Sequence, residues 1–79
     1  MRDLELMGRR IWLHRMLSSG LAKQLVGDAG LSTTAVAEII GCSQPNAWRI
    51  LAGKHFPRRA TATRLMTLLE QLEVASNAS

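Results

Sequence analysis

Gln44, Asn46 and Arg49 fall within six residues of one another, and their side chains are of the types that read nucleobases. A carboxamide offers a donor and an acceptor side by side, which matches the N6 and N7 edge of adenine. A guanidinium matches guanine O6 and N7, or a phosphate. Ser43 stands just before them, with a hydroxyl suited to capping a helix start and to touching a phosphate as well. Pro45 has no donor and suits a first helical turn, and its ring could touch a thymine methyl. The neutral alternative for each of these residues is a solvated helix face. Catalytic chemistry finds no comparable constellation. There is no Ser/His/Asp or Cys/His arrangement, no phosphate-cradling glycine loop and no cluster of carboxylates. Cys42 is the single cysteine, so no intramolecular disulfide forms, and it has no second cysteine or nearby histidine for a metal. His14 and His55 have no ligand-like spacing. The expectation is a non-enzyme with no catalytic residue, no metal and no cofactor.

Charge points the same way. Ten Lys+Arg face six Asp+Glu, a formal +4. Arg49, Lys54, Arg58, Arg59 and Arg64 all lie in the acid-free stretch 39–69, which holds +5, while both later acids, Glu70 and Glu73, come after it. Such asymmetry suits a polyanion, and its plain alternative is a face that keeps the chain in solution. With 79 residues and 47% hydrophobic side chains, the chain makes one domain with one small core. No run approaches the ~20 apolar residues of a membrane span, and Asp3 and Glu5 interrupt any leader-like start. A cytoplasmic, nucleoid-associated protein is expected.

The elements that would carry these side chains read as helices throughout. Leu4, Met7 and Ile11, then Leu13, Met16 and Leu17, make a first apolar face that Asp3 could cap. Ser18-Ser19-Gly20 reads as a break, or as a cap for the second helix. Leu21, Ala22, Leu25 and Val26 form a second face, closed at Ala29-Gly30. A hydroxyl in residues 32–34 caps a third helix with Leu31 as its staple, and Gly41 ends it. Ser43 caps a fourth helix, with Ala47, Ile50 and Leu51 apolar, and Gly53 ends it. A last helix is expected to start near Thr61 or Thr63. The fold class is therefore all-α, a compact bundle of about five short helices with an extra N-terminal helical segment. Residues 1–19 are read as that segment, 20–74 as the DNA-binding domain and 75–79 as a frayed tail. Met1, Met7, Met16 and Met66 read as core or interface filler.

Residues 33–53, TTAVAEIIGCSQPNAWRILAG, hold two short helices around one glycine. The small Ala37 allows close approach, Gly41 supplies a positive φ, and Ala47 and Ile50 pack the second helix across the first. This is a helix-turn-helix pattern. From about Leu21 to Leu72 the sequence resembles the Cro/repressor-type family, the lambda-repressor-like DNA-binding domains. Gly30-Leu31-Ser32 resembles the family's G-L-S opening, and Ala37 with Gly41 its A-x-x-x-G. Ser43-Gln44 opens the recognition helix as in many members, and residues 49–54 resemble the closing R-I-x-x-G-K. Pro57 and the leucines after it resemble the later helices. The lactose-repressor type fits the upstream segment badly. Departures are Thr33 where many members carry Gln, Ala47 for a larger Val or Ile, Trp48 for a small hydroxyl residue, and the longer segment 1–17.

The resemblance implies a sequence-specific double-stranded DNA-binding transcriptional regulator, Cro-like or phage-like, reading the major groove with residues 43–52. It implies base contacts from Gln44, Asn46 and Arg49, and phosphate contacts from Thr33, Ser43, Lys54, His55, Arg58 and Arg59. Trp48 either lays its N–H on a phosphate or covers core residues of the N-terminal segment. One short helix contacts few base pairs, so a homodimer is expected. Its contacts would come from Leu4, Leu6, Met7, Ile11 and Trp12, or from Leu68, Leu69, Leu72 and Val74. The alternative is an antitoxin-like or other protein-interaction module that binds a partner through residues 4–17.

Overall fold

Glycines and one proline punctuate five helices: α1 (Arg2–Ser18), α2 (Leu21–Asp28), α3 (Thr33–Ile40), α4 (Gln44–Leu51) and α5 (Arg59–Ala78). The computed structural model describes the backbone of residues 2–78 and the side chains of 8–76, and no strand occurs among them. The side chains of Asp3, Leu4, Leu6 and Met7 lie outside the described residues, and so do those of Met1 and 77–79. The all-α bundle expected from the sequence is the fold, although α1 and α5 are long rather than short, with 17 and 20 residues.

Local chemistry sets the boundaries. Ser18-Ser19-Gly20 is a break: Gly20 takes a left-handed conformation, and the Ser19 hydroxyl accepts from the Leu21 amide at 3.4 Å. Ser32 caps α3, its hydroxyl accepting from the Ala35 amide at 3.1 Å. Ser43 does the same for α4 through the Asn46 amide at 3.4 Å, and Pro45 in that first turn sacrifices no bond. The last helix begins at Arg59, ahead of the threonines expected to start it. Thr63 and Thr67 instead turn their hydroxyls back to the carbonyls of Arg59 and Thr63, at 2.9 and 3.0 Å, as mid-helix threonines do. The backbone stays helical past residue 75, as far as Ala78.

α3 and α4 make the most extensive helix–helix contact in the molecule. Ala37 and Ala47, both buried, let the two backbones approach, and Ile40 and Ile50 fill the space beside them. Each such isoleucine contributes roughly 1.5–3 kcal/mol when fully removed from water. α5 closes the bundle with Leu65, Met66, Leu68 and Leu69 buried. Leu68 and Leu69 therefore lie inside the chain's own core and are not surface for a second copy. Leu72 packs on the same core, and only Val74 of the expected set on α5 is exposed.

α1 shares this core through Leu13, Met16 and Leu17. Two further contacts hold it. The Arg9 guanidinium bonds Glu70 of α5 at 2.7 Å. Phe56, in the loop after α4, stacks on the His14 ring at 5.8 Å and lies 5.6 Å from the Arg10 guanidinium carbon. Gly53 makes the approach possible: its φ is +76°, and a Cβ there would sit 3.1 Å from the Leu17 carbonyl oxygen.

Candidate nucleic-acid interface

α4 buries Ala47, Ile50 and Leu51 and exposes Gln44, Pro45, Asn46, Trp48 and Arg49. At about 100° per residue, Pro45 and Arg49 run down the middle of the outer face. Gln44 and Trp48 flank it on one side and Asn46 on the other. Arg49 lies between Trp48 and Asn46 around the axis. The two carboxamides are thus about 160° apart and address different edges of the face. The face contains no acid.

Behind its N-terminal end is the turn Gly41-Cys42. Gly41 closes α3 at φ +75°, with its amide bonded to the Ala37 carbonyl at 2.9 Å. The Arg64 guanidinium of α5 lies over this glycine, in the space that a Cβ would take. A cation that sequence reading only counted thus sits beside the start of the recognition helix. Cys42 is half-buried, its thiol donating to the Ser43 carbonyl at 3.4 Å, and burial pushes the thiol above its ordinary pKa. Raising a thiol in this way disfavours the reactive thiolate.

At the other end Trp48 is half-exposed and turns toward α2 and the start of α3, not toward α1. Of its two expected placements, the cover over the N-terminal segment is not made. Trp48, Thr33, Lys23 and Val26 instead line a shallow hollow of about 190 Å³. Lys54 holds its ammonium 5.1 Å above the Trp48 ring centroid. Thr33 is half-buried in that wall as the first residue of α3, the cap itself being Ser32. Lys54 and His55 are exposed in the loop after α4. Arg58 and Arg59 are exposed after the buried Pro57, Arg59 as the first residue of α5. Thr33, Trp48 and Lys54 are therefore brought together, with Lys23 as an unforeseen fourth member. Lys23 and Arg64 escape a sequence reading because each meets its neighbours across a long sequence separation.

Two short helices locked around a glycine turn, with the second presenting a polar outer face and cations at both ends, define a helix-turn-helix unit. Residues 19–75 match the helix-turn-helix domain family, and the chain belongs to that family of DNA-binding domains. The match covers α2 to α4 and α5 as far as residue 75, and leaves the whole of α1 outside it. No curated protein and no solved structure matches the chain. No helix among the described residues is long and apolar enough to cross a membrane.

Proposed function

We propose that this chain is a sequence-specific transcriptional regulator of the Cro/repressor-like kind, working at the nucleoid as a homodimer on double-stranded DNA. The observation that carries the reading is the outer face of α4: exposed, acid-free, and fixed by the close α3–α4 contact. Gln44, at the first helical position, and Arg49, in the middle of the face, reach base edges in the major groove. Asn46 addresses the opposite flank. Ser43, Thr33, Trp48, Lys54, His55, Arg58 and Arg59 hold the sugar-phosphate backbone on either side, setting register without reading sequence.

The test begins with selection from random duplexes, which should return an inverted repeat with half-sites one helical turn apart, about 10 base pairs. Gln44→Ala should then cost about 1–3 kcal/mol on the selected site and relax preference at one base pair. Equal losses on selected and scrambled duplexes would remove Gln44 from the base readers. Selection that returns no preferred sequence would overturn the proposal.

A further inference from the structure

The flank of α1 next to Trp12 carries a shallow, open apolar depression of about 500 Å³. Trp12, Met16 and Leu21 line it, with Arg15 at its edge. On the other side of the same indole lies a second hollow, between Gly8 of α1 and the acids Glu70 and Glu73 of α5. Trp12, half-buried against the core, thus lies between a cation-edged apolar depression and an acid-edged one. Arg9 already neutralises Glu70, so the uncompensated charge of the second hollow is on Glu73. Neither Arg15 nor Glu73 makes an ion pair among the described residues. Ile11 and Leu21 extend the apolar patch, each about half-exposed.

We infer that this apolar patch and its two depressions are the face on which two copies of the chain meet about a twofold axis. A twofold interface must be self-complementary: whatever one copy offers at one point, the other must receive at the symmetric point. An apolar patch with opposite free charges on its two sides has that property. Each apolar patch packs on the other copy's, and each Arg15 meets the other copy's Glu73, so every contact occurs twice. A foreign protein would require only one of the two hollows.

The placement also suits a DNA-binding dimer. His14 and Arg10 face the loop after α4 through Phe56. Trp12 precedes His14 by two residues, which puts it about 160° away around α1. Pairing through Trp12 therefore leaves the outer face of α4 open. The inference rests on the homodimer reading above, and it is tested without DNA.

Sedimentation equilibrium on the full chain gives the dimer constant. Wild type should be a dimer. Arg15→Glu and Glu73→Arg should each raise the dimer Kd roughly 30-fold or more, because symmetry turns two attractions into two repulsions. Combining them restores both pairs with reversed sign, and the Kd should return to within about threefold of wild type. Trp12→Ala should also give monomers, and helical circular dichroism separates that from unfolding. Both charge positions lie off the core, so the swaps keep the fold. A monomeric wild type, single swaps without effect, or a double swap that fails to recover would each overturn the interface. A monomer that still prefers one duplex sequence would sink the interface alone. A swap-sensitive dimer that ignores DNA would sink the DNA-binding reading and leave the interface standing.

Discussion

Replacing Arg58 and Arg59 together by glutamine isolates the backbone grip from base reading. Both side chains are exposed, and neither makes an ion pair among the described residues. Each is therefore free to neutralise a phosphate and release counterions, which contributes about −0.9 to the slope of log affinity against log salt. Loss of both should make the slope shallower by about 1.8. Between 50 and 200 mM salt, a fourfold change, wild type should then lose roughly 12-fold more affinity than the double variant. The melting temperature should hold, because exposed substitutions of this kind stay within about 0.5 kcal/mol. Fluorescence anisotropy with the selected site and a scrambled duplex, at four or more salt concentrations, measures both slopes. The two duplexes should weaken alike, with their ratio kept. An unchanged slope would mean that the loop after the recognition helix faces away from DNA. A loss confined to the selected site would make these arginines base readers.

The packing sets three further outcomes. Gly53→Ala should lower the melting temperature more than Gly41→Ala. Both glycines have φ near +75°, worth about 1–2 kcal/mol against alanine, but only at 53 does the new Cβ meet a backbone oxygen, while at 41 it meets a guanidinium that can swing aside. Equal or reversed drops in a thermal melt would refute that ordering. Phe56→Ala should cost about 1–3 kcal/mol, seen as a fall of roughly 4–24 °C, and should weaken binding to every duplex equally; an unchanged melt would mean that α1 does not brace the loop. Cys42 should alkylate more slowly at about pH 8 than a free cysteine peptide, since its raised pKa leaves less thiolate. The sign for stability is that the folded state holds this proton more tightly, so stability declines as pH rises through the thiol range; alkylation at the peptide's rate would remove the effect.

Legibility in the sequence depends on the range of the interaction. The turn from α3 to α4 is written locally: Ser32 and Ser43 cap their own helices, and Ala37, Gly41 and Ala47 lie within eleven residues. Those features are visible without a structure because their partners are neighbours in the chain. The start of α5 is harder to place because threonine suits both a cap and a bond back to the fourth carbonyl before it, the use that Thr63 makes of it here. The leucines of α5 present the opposite difficulty. A wide apolar stripe over 65–72 shows that a face is covered, not whether its own chain or a second copy covers it, and here Leu68 and Leu69 meet their own core. Arg64 over Gly41, and Lys23 beside Thr33 and Trp48, depend on where α5 and α2 cross the helix-turn-helix, which no local spacing encodes.

If the chain works as the proposed dimer, the length of α4 gives a helix outside the matched family region a part in function. Eight residues rise about 12 Å, and duplex DNA rises about 3.4 Å per base pair, so one recognition helix spans some three or four pairs. Four pairs recur about once in 256 positions, whereas two symmetric sets recur about once in 65,000, so on the proposed reading discrimination comes from joining two copies. α1 has the contacts to make that junction rigid. One side of it stacks His14 and Arg10 on Phe56, in the loop that carries Lys54 and His55 and leads to Arg58. Its core edge is shared with α2 to α5 through Leu13, Met16 and Leu17. Its remaining flank presents Trp12. A dimer made there would connect the two recognition helices through packed side chains alone, with no flexible linker between them. The distance between half-sites would then be fixed by the width of α1 and of the bundle behind it.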